Sequence, residues 1–379
     1  VVLSTVKLEY STDGGATWPA SGLIASSVSA GALAYLWTIP DAIGTNLLVR
    51  ISDASNASIN DVSNAPFTIK GSLVVTAPNG GETWVVGTTQ NITWTKTGTL
   101  PNVRLDYSTD GGVTWPVGNV IVASTSGATL SYPWVIPDAI GSANKVRITY
   151  DTTPDTLDLT DDSNANFTIT GSLALTAPDG GEQWGIATSQ TITWTKTGTL
   201  TGSLKLEYST DGGVTYPAGH LISNTVPASS TSFVWTIPDS PTAQGRVKIT
   251  SLNDPSVNDQ SNANFSIRGS LTVTAPNGGE SWVVGEARNI TWTRGGSIAN
   301  VKVDLSTDGG ATYPTSITTS TPAANLSYAW TVPDAIGTSV QVRVSDVGDV
   351  TVTDASNANF AIKGSLTVSS PNGGEIWLV

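Results

Sequence analysis

The chain of 379 residues has no cysteine and only one histidine. It therefore cannot build a disulfide framework, a thiol nucleophile or a Cys/His zinc site. Charge is also sparse, because charged residues make up 12% of the sequence, and the net charge is −13. Such an acidic surface repels nucleic acid and anionic lipid, so we expect neither as a partner.

Long apolar runs are missing as well. The longest are strand-sized, well short of the roughly 18 to 20 residues that a spanning helix needs, so we expect no membrane insertion in this segment. No segment shows a 3.6-residue apolar period, and 38 glycines and 20 prolines interrupt the chain throughout. No signal peptide is visible, but Val1 opens the chain in mid-repeat without an initiator methionine, which leaves room for an upstream leader.

The sequence is rich in internal repetition. The phrase STDGGATWP at Ser11 returns with small changes at three further positions, and phrases of the SLVVTAPNGGETW and SNAPFTI kinds keep the same period of about 100 residues. This period suits a whole small domain and exceeds the roughly 40 to 50 residues of a propeller blade. We therefore divide the chain into a partial immunoglobulin-like repeat lacking its first strands (1–70), three complete repeats (71–170, 171–268 and 269–363) and the first strand of a further repeat (364–379).

Apolar and polar residues alternate along the short segments between turns. In VKLEY, from Val6, three apolar side chains share one face, and LAYLWTIP places Leu33, Tyr35, Trp37 and Ile39 together. Seven such strands in each repeat predict an all-β fold of tandem immunoglobulin/fibronectin-like β-sandwich domains. Linkers as short as one glycine separate the sandwiches, so we expect the domains to be arranged as a rod.

Charged residues recur at fixed positions of these strands. An acid on the VKLEY-type strand and a base on the strand expected beside it both point outward, which predicts cross-strand pairs worth about 0.2 to 1 kcal/mol each. The acids are Glu9, Asp106, Glu207 and Asp304, and the bases are Arg50, Arg147, Lys248 and Arg343. The glutamate of NGGE and the aspartate that follows the I/V-P step are expected to cap turns.

The stretch from Ser11 to Trp18 fits the S-x-D-x-G-x-T-W pattern of the Asp-box, a motif familiar from sialidase propellers. A sialidase also needs an arginine cluster around a carboxylate and a Tyr/Glu nucleophile pair, and 17 Lys and Arg spread thinly over the chain do not supply that cluster. We therefore interpret the Asp-box as a hairpin turn, in which the Asp carboxylate accepts backbone N–H bonds and the glycines adopt positive φ. We do not expect an enzyme, and we assign no catalytic or cofactor-binding residue.

Thirteen tryptophans recur at four positions of the repeat. Most lie in phase with Ile, Val and Leu on the inward side of strands, where an aromatic ring buries about 200 Å² and supports the core. The residue that closes the Asp-box is the exception, because it sits at a hairpin end. Stacking on a sugar ring is the alternative role for these possible glycan-contact aromatics, which are Trp18, Trp115, Tyr216 and Tyr313.

Oxygen-rich loops precede each SNA-F segment. Calcium prefers six to eight oxygen ligands, often from closely spaced aspartates, and the loop DLTDDSN offers the weak calcium candidates Asp158, Asp161 and Asp162. The other copies offer one aspartate with Asn or Ser, which favours an ordinary Asx-rich turn. Calcium is the only cofactor that the sequence suggests.

The order of the motifs resembles a known arrangement. P-N-G-G-E-x-W, N-I-T-W, L-x-Y-S-T-D-G-G-x-T-W, Y-x-W-x-I-P-D and S-N-A-x-F-x-I follow one another as in the tandem immunoglobulin-like repeats of large secreted bacterial surface proteins. The order is also similar to the Ser-Thr-rich wall-protein domain of the yeast Kre9/Knh1 type. The resemblance covers the whole chain and implies an extracellular or cell-surface spacer, but it says little about a ligand.

These observations predict a non-enzymatic structural repeat region of a long extracellular or cell-surface protein, such as a filament, stalk or adhesin. Its partners are then neighbouring repeats or copies of itself. The alternative is a carbohydrate-binding module that recognises cell-wall or extracellular glycans. The incomplete ends have two interpretations, either a window cut from a longer array or a tail strand, 365–379, that completes the head of the next copy and assembles the chains head to tail.

Overall fold

The computed structural model describes residues 3–151 and 157–379. Their regular structure consists of β-strands and short 3-10 turns, and no α-helix occurs among them. These residues accordingly contain no helical segment with the length and hydropathy required to cross a bilayer. The chain divides into two compact units, of which unit 1 contains Val1–Ser172 and Thr197–Leu200 and unit 2 contains Leu173–Lys196 and Thr201–Val379. The boundaries of the individual repeats stay a prediction.

The strands follow the apolar alternation of the sequence. In the VRLDY copy, Val103 and Leu105 are fully buried, while Arg104 between them is half-exposed. Successive side chains of a strand point to opposite faces, so this pattern turns one face toward a core. Short 3-10 turns flank the hairpins at Ala20–Gly22, Ala30–Ala32, Val117–Asn119, Ala218–His220 and Ala323–Asn325.

The strands of the first copy and the first complete copy are numbered in chain order. They are β1 (Thr5–Ser11), β2 (Leu23–Ser29), β3 (Gly44–Asp53), β4 (Asn60–Val62), β5 (Phe67–Ile69), β6 (Ser72–Ala77), β7 (Thr83–Val85), β8 (Thr89–Thr97), β9 (Asn102–Ser108), β10 (Val120–Ser126), β11 (Ser131–Val135), β12 (Gly141–Tyr150), β13 (Thr160–Asp162) and β14 (Phe167–Thr170).

The numbering continues through the two following copies. These strands are β15 (Ser172–Ala177), β16 (Gln183–Gly185), β17 (Ser189–Thr197), β18 (Ser203–Ser209), β19 (Leu221–Pro227), β20 (Ser232–Thr236), β21 (Thr242–Ser251), β22 (Asn258–Gln260), β23 (Phe265–Arg268), β24 (Ser270–Ala275), β25 (Ser281–Val283), β26 (Ala287–Gly295), β27 (Asn300–Ser306), β28 (Thr315–Pro322), β29 (Ser327–Thr331), β30 (Gly337–Asp346), β31 (Thr353–Ala355) and β32 (Phe360–Lys363).

Each complete copy forms two sheets. In residues 72–170, a three-stranded sheet has the order β11-β8-β6, and a second sheet has the order β10-β9-β12-β14-β7 with β13 beside β12. Their inward side chains meet in one core that includes Trp94, Leu105 and Phe167. The sheets of the next two copies repeat this order. The fold is therefore all-β, with tandem immunoglobulin/fibronectin-like β-sandwiches, as the sequence predicts.

Two registers position the sites described below. Strands β9 and β12 are antiparallel, with Asp106 opposite Arg147. Strand β7 runs parallel to β14, with Trp84 opposite Ile169. The hairpin of β1 and β2 carries register shifts next to Leu8, so bulges interrupt its ladder.

Residues 3–70, the described part of the first copy, form a single sheet with the order β2-β1-β3-β4 and β5 beside β3. The predicted strand around Trp37 is wrong, because residues 33–40 form no strand and Leu33, Tyr35 and Ile39 are 95%, 48% and 56% exposed. The matching segment of the next copy, β11, is a strand because it pairs with β8. The described part of the first copy contains no counterpart of β8, and alternation without a neighbouring strand does not make a ladder.

Residues 364–379 repeat the opening sequence of a copy but contain no strand. Their turn at Pro371–Glu375 is nevertheless formed, because Glu375 accepts the backbone N–H groups of Asn372 and Gly373 at 2.8 and 2.7 Å. The side chains on either side of this turn are exposed. The turn is thus encoded locally, whereas the strands around it need partners.

Candidate functional site: the Asp-box hairpin

The Asp-box hairpin is built around one carboxylate. Asp13 accepts hydrogen bonds from the backbone N–H and the hydroxyl of Thr17 at 2.9 and 2.6 Å, and from the hydroxyl of Ser11 at 2.6 Å. The buried Ser11 oxygen also accepts the backbone N–H of Gly15 at 3.0 Å. Gly14 and Gly15 have φ values of 72° and 86°, which glycine adopts without a steric penalty. The same contacts recur around Asp110, Asp211 and Asp308.

These donors stabilise the ionised form of the carboxylate. The hydroxyl of Ser11, followed by the hydroxyl and the amide of Thr17, lowers the pKa of Asp13 to about 2. Matching donors lower the pKa of Asp110 and of Asp308 to about 2 as well. A general acid or base works best with a pKa near the operating pH. The Asp-box carboxylate therefore suits a permanent turn anchor rather than proton transfer near neutral pH.

The aromatic residue that closes the Asp-box lies over a cation of the neighbouring strand. The distances from the charged group to the ring centroid are 4.4 Å for Arg50 and Trp18, 4.2 Å for Arg147 and Trp115, 5.7 Å for Lys248 and Tyr216, and 4.3 Å for Arg343 and Tyr313. All four lie within cation–π range. The rings are half-buried, so each ring covers its cation and keeps part of its surface in contact with solvent.

The acid of the VKLEY-type strand lies beside the same cation. The predicted neighbours are confirmed, because the register places each acid opposite its base in all four copies. A direct ion pair forms between Glu9 and Arg50 at 2.8 Å and between Asp304 and Arg343 at 3.1 Å. In these two copies the hairpin therefore presents a stack of acid, cation and aromatic ring.

The other two copies contain different ion pairs. Asp106 binds Arg104 of its own strand at 2.8 Å, while Arg147 binds Asp162 at 2.6 Å. Glu207 binds Lys205 at 2.7 Å. The expectation that these acids point out into solvent is wrong, because the four acids are only 4%, 6%, 9% and 6% exposed. The basic side chains that flank each acid shield it from water.

The calcium candidates are bonded within the chain. An oxygen of Asp161 accepts the backbone N–H of Val75 at 2.7 Å, and Asp162 forms the ion pair with Arg147. Asp158 has a left-handed backbone with φ of 48°. No group of three or more His, Asp or Glu is placed to hold a metal ion within residues 3–151 and 157–379. Calcium binding stays a prediction, and the geometry gives it no further support.

Nine tryptophans of the complete copies pack inside the sandwiches, as predicted, whereas Trp115 at its Asp-box hairpin is half-buried. The buried ones are Trp84, Trp94, Trp134, Trp184, Trp194, Trp235, Trp282, Trp292 and Trp330. Trp37, in the first copy, is half-buried, and Trp377, near the C-terminal end, is 70% exposed. Both lie in segments that form no strand, residues 33–40 and 364–379.

The glutamate of NGGE caps its own turn, as predicted. The two carboxylate oxygens of Glu82 accept the backbone N–H groups of Asn79 and Gly80 at 2.7 and 2.8 Å. Glu182 and Glu280 make the same two bonds. This turn leads into the strand that carries the buried tryptophan.

The aspartate after the I/V-P step does more than the sequence predicts. Asp41, expected to cap a turn, accepts the backbone N–H and the hydroxyl of Thr99 at 2.9 and 2.5 Å. The side chain of Ile43 lies beside this contact, only 2.7 Å from where a Cβ on Gly98 would be. We call this pair of hydrogen bonds the Asp–hydroxyl clasp. It connects the first copy to the second within unit 1.

The clasp recurs along the chain. Within unit 2, Asp239 accepts the backbone N–H and the hydroxyl of Ser297 at 2.8 and 2.6 Å, and Asp138 bonds to Thr199 in the same way within unit 1. The hydroxyl of Ser297, followed by its amide, lowers the pKa of Asp239. The sequence did carry a signal for this contact, because a glycine and then a Thr or Ser follow the NITW strand in each complete copy.

A scan against protein-family models finds no match, and no curated protein matches the chain. Among solved structures, fibronectin(III)-like modules of CbhA from Clostridium thermocellum are 14% identical over 52% of this chain and 94% of theirs, with a TM-score of 0.19. The N-terminal four Ig domains of a Dscam1 isoform are 10% identical, cover 96% and 95%, and have a TM-score of 0.29. Three titin Ig domains are 9% identical, cover 79% and 100%, and have a TM-score of 0.27. Because these sequence identities and TM-scores are low, the fold is assigned from the sheets of this chain itself.

Proposed function

We propose that this chain is a non-enzymatic structural repeat region of a long extracellular or cell-surface protein, of the filament, stalk or adhesin kind. The observation that carries the proposal is the use of the recurring carboxylates. Asp13 holds its own hairpin, Glu82 holds its own turn, and Asp41 holds the next copy. The same contacts recur along the chain at Asp110, Glu182 and Asp138, so carboxylates of the kind that a catalytic site needs for a substrate are here bonded to the chain itself.

Short connections between copies also support a spacer role. Gly71 alone separates β5 and its flanking lysine from β6, and the clasp adds two hydrogen bonds across the same connection. A linker of this length leaves little conformational freedom, unlike a flexible Gly/Ser linker. The rod expected from the sequence stays a prediction.

Surface labelling tests the proposed location. Antibodies against residues 71–363, applied to intact cells that produce the protein, are expected to label them before permeabilisation. A cytosolic protein labelled in parallel controls for leakage. Signal that appears only after permeabilisation contradicts the extracellular or cell-surface assignment.

Excision of one copy tests the structural role. Removal of residues 171–268 from the native protein is expected to leave export and surface labelling intact, because neighbouring copies carry the same opening and closing sequences. Removal of residues 71–170 in a second variant serves as the matched control. Loss of a specific activity with only one of the two deletions contradicts a role shared equally by the repeats.

The half-buried rings of the Asp-box favour a second candidate, a carbohydrate-binding module. Trp18 and Trp115 each keep part of the ring exposed at a hairpin end, where stacking on a sugar is geometrically open. A glycan array with the wild-type chain and with Trp18→Ala/Trp115→Ala tests this. Glycan signals that disappear in this variant and persist with tyrosine at both positions support it, and a wild-type chain that retains no glycan rules it out.

A further inference from the structure

We propose that each complete copy of this chain bears tension through a seam between its opening and closing segments, which is loaded in shear when the chain is stretched. In the first complete copy the seam joins residues 75–86 to residues 161–170. This inference depends on the proposed structural role and deepens it, because it names a stretching force as the load that the copies withstand.

The seam contains two parallel strands. Strand β7 of the opening segment runs parallel to β14 of the closing segment, with Thr83 opposite Thr168. The chain enters the copy before β7 and leaves it after β14, and these two points lie at opposite ends of a parallel ladder. A stretching force therefore slides the two strands past each other and loads all their hydrogen bonds together. In an antiparallel pair the same two points lie at one end, so the bonds open one after another.

Backbone hydrogen bonds extend the seam beyond the paired residues. In the first complete copy they are Ala165 N–H to Asn79 O, Gly81 N–H to Asn166 O, Thr168 N–H to Glu82 O and Val86 N–H to Thr170 O, at 3.2, 3.0, 2.8 and 3.0 Å. The two following copies contain the equivalent bonds, donated by Ala263, Gly181, Ser266 and Ile186 and by Ala358, Gly279, Ala361 and Val284. The same seam thus recurs in each complete copy.

Side chains also connect the two segments. Asp161 accepts the backbone N–H of Val75 at 2.7 Å, and the buried hydroxyl of Ser163 donates to the carbonyl of Pro78 at 2.6 Å. The first of these bonds recurs at 2.7 Å between Asp259 and Leu175 and between Asp354 and Val273. Val75 belongs to β6, the strand through which the chain enters the copy, so this bond bears part of the same load.

Close packing reinforces the seam. A Cβ on Gly80 would lie 2.6 Å from the Cβ of Ala165, so the turn of the opening segment packs directly against the closing segment. The ring of Trp84 lies 5.1 Å from that of Phe167, and both side chains are buried. The same pairs recur as Gly180 with Ala263, Gly278 with Ala358, Trp184 with Phe265 and Trp282 with Phe360. Sliding of one strand along the other breaks these contacts together with the hydrogen bonds.

The seam accounts for two phrases that recur with the repeat. P-N-G-G-E-x-W supplies the opening segment, and S-N-A-x-F supplies the closing segment. The first glycine leaves room for the alanine, the tryptophan packs against the phenylalanine, and the serine binds the proline carbonyl. The two phrases therefore recur together because their residues hold the entry and exit of one copy to each other.

Force-clamp measurements on single full-length chains, held by tags at both ends, test the seam. Each complete copy is expected to unfold in one step that adds roughly 300 Å, since an extended residue spans up to about 3.6 Å. Thr168→Pro removes the N–H that binds the Glu82 carbonyl. The lifetime of that copy under load is expected to fall about two- to tenfold, the factor for one hydrogen bond. The other two complete copies in the same molecule provide the reference.

Ile92→Val serves as the control outside the seam. Ile92 is fully buried in β8 of the same copy, so its truncation lowers stability toward denaturant by an amount similar to the loss of one hydrogen bond. It is expected to leave the lifetime under load unchanged, because the seam parts first. Asp161→Ala, which is expected to shorten the lifetime, and Asp161→Asn, which keeps an acceptor oxygen and the lifetime, form a second pair that leaves β14 intact. Equal shortening by Thr168→Pro and Ile92→Val, or by both Asp161 variants, overturns the proposal.

The direction of pulling separates a load-bearing seam from general stability. The chain has no cysteine, so Val113→Cys and Val135→Cys provide attachment points at two exposed positions of the first complete copy. A force between them acts on the edge strands β10 and β11, each of which has one neighbouring strand. The copy is expected to yield at least about tenfold sooner than under the same force through the chain ends, because fewer hydrogen bonds break together. Equal lifetimes in the two directions refute the seam, and surface labelling still judges the proposed structural role.

Discussion

At the scale of single residues, the Asp-box carboxylate is held by donors a few positions away. Ser11, Asp13 and Thr17 make their contacts within one hairpin, so the motif by itself specifies the turn. The acid of the neighbouring strand behaves differently. Glu9 has an outward position in the alternation and is nevertheless buried, because Lys7 and Arg50 flank it. The local sequence pattern thus predicts the hydrogen-bonded turn around Asp13 but does not predict the burial of Glu9.

We predict a pH dependence centred on Asp110. Its folded-state pKa is lowered from 3.8 to about 2 by the hydroxyls of Ser108 and Thr114 and by the Thr114 amide. A depressed pKa means that the carboxylate stabilises the hairpin above pH 3.8 and that this contribution is lost as the pH falls toward 2. A carboxyl-carbon NMR titration is expected to give a midpoint near 2 for Asp110.

The Thr114→Val variant removes one donor to the same carboxylate. We expect its Asp110 pKa to rise toward the ordinary value, because the ionised form loses a hydrogen bond. Thr109→Val changes the adjacent residue and is expected to leave the midpoint in place. A midpoint that is the same in wild type and in Thr114→Val contradicts the assigned cause.

At the scale of elements, neighbours decide whether an alternating segment becomes a strand. The segment around Trp37 and strand β11 have nearly the same sequence pattern, yet only β11 forms a ladder, through β8. The two cores differ in the same way. The side chain of Trp134 is only 6% exposed, whereas Leu33 and Tyr35 of the first copy are exposed.

Hydrogen exchange is expected to separate these two segments. Backbone amides of residues 33–39 lack partner strands and are predicted to exchange almost freely, while those of 131–135 are protected up to the opening free energy of their sandwich. Mass spectrometry of peptic peptides after deuterium labelling measures both in one sample. The peptide around Leu47, which is fully buried in β3, serves as the protected reference for the first copy. Equal protection of the two segments contradicts the assignment.

At the scale of the whole molecule, the Asp–hydroxyl clasp links consecutive copies within a unit. In unit 2, Arg268 precedes the connecting Gly269, donates to Gln183 at 2.7 Å and lies 3.2 Å from Asp349. The clasp between Asp239 and Ser297 acts on the same connection. Its hydrogen bonds join residues that are far apart in sequence, so it restrains the connection rather than any single hairpin.

We predict that Asp239→Ala increases tryptic cleavage after Arg268 about two- to fivefold, the factor that follows from losing about 0.5 to 1 kcal/mol of hydrogen bonding at a locally opening site. Limited proteolysis with mass-spectrometric identification of the cut measures it. Asp334→Ala removes the equivalent aspartate of the last copy, which makes no such bond among the described residues, and is expected to leave cleavage unchanged. Identical digestion of all three chains contradicts a restraining role.

Lowering the pH is expected to act like Asp239→Ala. The pKa of Asp239 is lowered by the Ser297 hydroxyl and amide, so the clasp is fully present above the ordinary aspartate pKa of 3.8 and is lost as the pH falls below it. Acid therefore loosens the connection, and neutral pH maintains it.

The sequence by itself determined the repeat, the all-β fold and the turns. Each of these depends on residues close together in sequence, such as the period-2 alternation of VRLDY or the donors that surround Asp13 within one hairpin. The side-chain directions of a strand and the hydrogen bonds of a turn are set by such local residues. The register of Glu9 with Arg50 also followed, since two amphipathic strands of one sheet align their outward residues.

Only the tertiary structure decided which residues from distant positions meet. It placed Thr99 against Asp41, covered Arg50 with Trp18, buried the acids and left the segment around Trp37 without a strand. The burial of a side chain and its hydrogen-bond partners depend on its neighbours in space. Segments with the same local sequence pattern therefore adopt different structures when those neighbours differ. For that reason the turns of the chain could be predicted from the sequence, while the contacts between its copies could not.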